Sequence, residues 1–184
     1  RDGASAGATS VGVTGASRRC ESAGWLALSA GRAPVTGVSR DGWRCIPWGV
    51  QVDPDGDGAR IAGWDELTTA QRTSDYRPRL GVLAGALADH GTCASAVGQG
   101  AALALADRDG RVARYRTVDQ ALFDGTFGEC PLTVVDAGAA PLVPRRVLTP
   151  GGALQDAMSP ELLEAERDAA LQRIDTTVRR VMAA

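Results

Sequence analysis

The sequence has no lysine and no asparagine, and its only histidine is His90. Apart from His90, its positive charge is therefore all arginine. With alanine and glycine so abundant, this is the residue usage of a G+C-rich genome and carries little about function. Charge of neither sign prevails: 20 basic against 22 acidic residues leave a net −2. A nucleic-acid binder normally gathers basic residues on one face, so that class is set aside. Long apolar runs are also missing. None approaches the ~18–20 residues that span a bilayer, and the first residues lack the charged-then-apolar order of a signal peptide. The chain opens on Arg1, so the expectation is a processed product or a piece of something longer.

What is present fits one α/β domain over residues 1–184, a length sufficient for a sizeable core. The clearest stretch is LGVLAGALADHGTCASAVG, Leu80 to Gly98. Leu80, Leu83, Ala84 and Leu87 share a helical face, and Gly91 suits the left-handed turn that ends a helix. Thr92–Val97 is short and apolar without alternation, as in a strand covered on both faces. Leu132–Val135 repeats that signal with stronger β-formers. The two are expected to be parallel neighbours inside a mainly parallel sheet flanked by helices.

Other elements follow from local pattern. Thr9–Thr14 reads as a short strand. Ser22 reads as the N-cap of a helix to Ala30, closed by Gly31 and Pro34. Residues 40–52 read as loop, anchored by Trp43 and Trp48. Trp64–Thr73 is a short helix, and Gly100–Ala106 is helical in composition with a strand as the alternative. Arg111–Val118 reads as one strand with Val112 and Tyr115 inward, Val118–Phe123 as a helix, and Ala139–Gly152 as surface loop. Last comes Pro160–Met182, capped by Ser159, with acids at its start and Arg179 and Arg180 at its end. Leu163, Ala170, Leu171, Ile174, Val178 and Val181 form a stripe expected to dock on a sheet.

The four cysteines are Cys20, Cys45, Cys93 and Cys130. They include no CxxC, and one histidine does not complete a zinc pattern. Cys93 and Cys130 precede the two inferred strands, so Cys93–Cys130 is the natural bridge and Cys20–Cys45 the remaining one. Each would contribute ~3–4 kcal/mol on the loop-entropy argument and would imply an extracytoplasmic compartment. Four reduced core cysteines are the alternative. Asp53, Asp55 and Asp57 in DPDGDG match the opening of an EF-hand calcium loop. The match then fails, with Trp64 where the bidentate glutamate belongs. A solvated turn is the preferred reading and weak calcium binding the alternative. Of the lone candidates, His90 reads as a partner for a helix C-terminus. Asp136 ends a strand where α/β sites often lie, though caps and turns use such a residue more often.

Two stretches together resemble the alkaline phosphatase superfamily. ESAGWLALSAGRAP, Glu21 to Pro34, resembles the nucleophile helix of sulfatases and cofactor-independent phosphoglycerate mutases, and Leu80–Gly98 resembles the helix–turn–strand unit downstream. GWLALSAGR and AVGQGAALALADRDG are closer still to a group of actinobacterial envelope proteins with a phosphatase-like outer domain followed by membrane helices. The resemblance, covering roughly Thr9 to Met182, implies an alkaline-phosphatase-like fold of which this chain is the N-terminal portion. It places the nucleophile slot at Glu21, with Ser22 one residue late, and the divalent-metal ligands outside the chain. A glutamate is not the serine, threonine or cysteine of that family. Two expectations follow: a non-catalytic extracytoplasmic binding or scaffolding module, or a piece of a metal-dependent phosphate or sulfate ester hydrolase. The sequence names no ligand or partner.

Overall fold

The computed structural model describes residues 21–34, 51–72, 77–125, 127–140, 146–148, 154–156 and 159–183; for residues 21, 146–148 and 154–156 it describes the backbone only. In chain order the helices are α1 (Glu21–Ala30), α2 (Trp64–Arg72), α3 (Val82–Asp89), α4 (Gln99–Leu105), α5 (Val118–Asp124) and α6 (Pro160–Ala183). The strands are β1 (Val52–Asp55), β2 (Gly58–Ile61), β3 (Ala94–Val97), β4 (Arg111–Val112), β5 (Tyr115–Arg116), β6 (Leu132–Val135), β7 (Arg146–Leu148) and β8 (Leu154–Asp156).

The core is built around α4, the segment the sequence left open between helix and strand. Every residue from Gly100 to Leu105 is buried. Such a helix is apolar all round and has to be enclosed. α1 covers one side of it, with Leu26 fully buried, and Leu83 and Leu87 of α3 pack on the same cluster. Trp25 of α1 lies against Gly100 at the start of α4. One turn later the Ser29 hydroxyl accepts the Gly81 N–H at 3.0 Å. Gly81 in turn sits against the backbone of Asp107 and Arg108, just past the end of α4. α1 and α4 therefore run side by side in the same direction.

β3 leads into α4 through Gly98, whose φ of 90° and ψ of 166° suit glycine alone. It is the middle strand of a parallel sheet ordered β5-β3-β6. The register pairs Ala94 with Leu132 and Val97 with Val135, and Ala96 with Tyr115. The Cys93–Cys130 disulfide closes the start of the β3–β6 pair, with the Cα atoms 5.2 Å apart. The parallel pairing, the α3–Gly91–β3 unit and this bridge are as the sequence indicates; Gly91 has a φ of 61°.

Several expectations are corrected. The sheet is not mainly parallel. β1, β2 and β4 form a separate antiparallel sheet, and β7, within the stretch read as loop, pairs with β8 just beyond it in an antiparallel ribbon. Arg111–Val118 is not one strand. Val112 and Tyr115 are both buried, but three residues apart they cannot share a face of one pleated strand. The chain accordingly breaks at Ala113 and Arg114, giving β4 to one sheet and β5 to the other. Among the described residues β6 is an edge strand with half-buried side chains, not an interior one.

Ser22 does not cap α1. The helix already includes Glu21, and the Ser22 hydroxyl is buried without a hydrogen-bond partner. α6 does start on its expected cap, the Ser159 hydroxyl accepting the Leu162 N–H at 3.3 Å. Its own backbone N–H and then the Ser159 hydroxyl hold the Glu161 carboxyl below its ordinary value. Of the predicted stripe, Leu163, Ala170, Ile174 and Val181 do lie on the less exposed side of α6. Its less exposed positions are Leu163, Arg167, Ala169, Ala170, Ile174, Thr177 and Val181, of which only Ala170 is fully buried. Leu171 and Val178 lie off that line and are 50% and 41% exposed. Thr9–Thr14, Cys20, Cys45, Trp43 and Trp48 lie outside the described residues.

Candidate functional site

In a parallel α/β sheet, ligands bind beyond the carboxyl ends of the strands. Here that edge is formed by the ends of β3 and β6 and the start of α4. Because α1 runs with α4, the first turn of α1 faces the same way. The fold thus directs Ser22 and the backbone of Glu21 toward the edge that carries Gly98, Gly100 and Asp136.

Asp136 is the residue that organises this edge. Its backbone N–H donates to Val97 O at 2.8 Å, continuing the β3–β6 ladder one residue past the strand. Its side chain then turns across to α4, where Oδ2 accepts the buried Gly100 N–H at 2.8 Å. Oδ1 accepts the Gly138 N–H at 2.9 Å. An unpaired N–H in the first turn of a helix is costly when buried, and a carboxylate suits the positive end of the dipole. Asp136 therefore acts as a cap supplied from another element. Gly98 makes room for it, and Gly100 makes room for Trp25. A Cβ at Gly98 would lie 3.0 Å from Asp136 Cβ, and one at Gly100 would collide with the Trp25 indole. Beneath the edge, Tyr115 of β5 is 7% exposed. Burial, and then the Asp136 charge, raise its phenol above the ordinary value.

The other sequence-selected residues are dispersed. Asp53, Asp55 and Asp57 belong to a hairpin with Gly56 and Asp57 at its tip. Asp53 accepts from Gln51 at 2.8 Å, Asp55 pairs with Arg60 at 3.2 Å and Asp57 with Arg116 at 3.2 Å. The carboxylates thus serve three different partners. His90 caps the end of α3, its Nδ1–H donating to Ala86 O at 2.8 Å. Cys93 and Cys130 are joined. Among the described residues no three His, Cys, Asp or Glu side chains gather in a way that could hold a metal ion.

A shallow cleft lies beside β5, lined by Asp57, Ser95, Ala96, Val97, Arg114, Tyr115, Arg116 and Glu129. Its ion pairs, Arg114–Glu129 at 3.4 Å and Arg116–Asp57, are solvent-exposed and contribute about 0–1 kcal/mol each. The Asp136–Gly100 bond spans 36 residues, so no local pattern announces it. The Thr117–Gln120 capping box at the start of α5 was legible as T-x-x-Q and is formed. Comparison with protein-family models, with curated proteins and with solved structures finds no match for the chain.

Proposed function

We propose that the chain is an extracytoplasmic module of alkaline-phosphatase type, serving binding or scaffolding rather than ester cleavage. The observation that carries this reading is the use of Asp136. Phosphate and sulfate ester cleavage needs an activated nucleophile beside metal-bound oxygens. Asp136, at the carboxyl edge of the parallel sheet, instead gives both carboxylate oxygens to backbone amides of its own chain. The slot residue Glu21 is not a nucleophile of that family, and Ser22 is a buried helix residue. The extracytoplasmic location rests on the Cys93–Cys130 bridge, since such bonds persist in oxidising compartments. No described helix is long and apolar enough to cross a membrane.

The second reading, a piece of a metal-dependent ester hydrolase completed by further sequence, is favoured by one detail. The Ser22 hydroxyl, one residue after the slot, has no hydrogen-bond partner and so remains free for another role. Turnover of aryl phosphate, phosphodiester and sulfate esters, with zinc, manganese, magnesium or calcium supplied, separates the two. The binding module gives none. Metal-dependent turnover abolished by Ser22→Ala, with the fold intact, establishes the hydrolase.

A further inference from the structure

β6 is fastened at both ends by devices of different chemistry. At its start, Cys130 is bonded to Cys93, which precedes β3. At its finish, Asp136 holds Gly100 of α4 and Gly138. Between them lie Pro131 and the four strand residues Leu132 to Val135, which are paired to β3 alone among the described strands. All four side chains are half-buried, and the Thr133 hydroxyl has no hydrogen-bond partner. Leu132 and Val134 pack against the core, but the strand is short, half-buried and paired on one side only. Cys93 is only half-buried although Cys130 is 4% exposed, so a thiol can reach the bridge from the Cys93 side.

From this arrangement we infer that the Cys93–Cys130 bridge is a redox-sensitive latch, whose reduction by a dithiol loosens β6 and releases the Asp136 cap from α4. The exchange is balanced: the protein disulfide takes two electrons and two protons and becomes two thiols, while the dithiol closes to its own disulfide. The consequence falls at the opposite end of the strand from the sulfurs. With β6 free to shift, Asp136 loses its register, and the amides of Gly100 and Gly138 lose their acceptor together. The β1–β2 hairpin belongs to a different sheet and is left in place.

Residue-resolved amide hydrogen exchange on the full chain, oxidised and then reduced with dithiothreitol, tests the latch. Cys93→Ser with Cys130→Ser provides a reductant-free equivalent. Exchange at Gly100 and Gly138 is expected to quicken at least about tenfold on reduction, as in a local opening, with the Ile61 amide unchanged. Asp136→Ala in the oxidised protein, which removes both acceptor oxygens, should reproduce the Gly100 and Gly138 effect without reductant. Two results overturn the inference. Unchanged exchange at Gly100 and Gly138 confines the bridge to its own end of the strand. Uniform acceleration at all amides, Ile61 included, makes it a staple for the whole domain and no latch.

Discussion

Replacing Gly100 with alanine sets two effects against each other. Glycine inside a helix costs about 0.5–1 kcal/mol relative to alanine, so propensity alone predicts stabilisation. At Gly100 the added Cβ would collide with the Trp25 ring, which is wedged between α1 and α4. Overpacking costs about 1–3 kcal/mol, and the Trp25 ring, though half-buried, packs against the core cluster. The clash outweighs propensity, giving a net loss of about 1–2 kcal/mol. In a chain of this size each kcal/mol moves Tm by about 2–4 °C. Gly24 in α1 and Gly85 in α3 provide the control, since a Cβ at either meets nothing within 4 Å. Gly24→Ala and Gly85→Ala should each raise the urea midpoint, whereas Gly100→Ala lowers it. Trp25→Phe should reduce the penalty in a double-mutant cycle by making space for the methyl. Stabilisation by Gly100→Ala equal to that of Gly24→Ala would refute the α1–α4 packing and, with it, the orientation of the candidate site.

Three further outcomes follow from the same geometry. Asp136→Ala leaves the buried Gly100 N–H unpaired and should cost about 2–3 kcal/mol in urea denaturation, with Asp136→Asn recovering part because its amide oxygen still accepts one bond; a loss no larger than that of a surface substitution would contradict the cap. Tyr115 should ionise above the ordinary phenol value, first because it is buried and second because of Asp136. Its folded value is raised, so its contribution to stability is complete below the unfolded value and is lost as pH rises through the folded one; absorbance titration of the phenolate, with and without Asp136→Asn, reads the shift and its partial reversal. Millimolar calcium should leave Tm unchanged, because Asp55 and Asp57 are engaged with Arg60 and Arg116; a calcium-dependent rise would show the DPDGDG hairpin rearranging into a binding loop.

What was legible in the sequence was what short-range pattern encodes. The α3–Gly91–β3 unit, the β6 strand, the α6 cap and the Cys93–Cys130 pairing all follow from residues close together or from two matching strand signals. What was not legible depends on distant partners. Nothing near Asp136 says that its carboxylate reaches Gly100, and nothing near Gly100 says that Trp25 fills the space a Cβ needs. In Arg111–Val118 the odd spacing of Val112 and Tyr115, both buried, is the signal of the break between sheets. The α6 stripe is legible in part, at Leu163, Ala170, Ile174 and Val181 but not at Leu171 and Val178. Its apolar residues do lie at helical spacing, but the inward line includes Arg167 and Thr177, and composition alone does not say which line faces the body of the protein.

The central claim is that Asp136 is committed to its own backbone rather than to metal or ester chemistry. Zinc titration followed at the Gly100 and Gly138 amide resonances tests it most directly. The account predicts both resonances unmoved up to millimolar zinc, with the hydrogen bonds retained. Displacement of both at micromolar zinc would show the carboxylate leaving the amides for the metal, and would contradict the account.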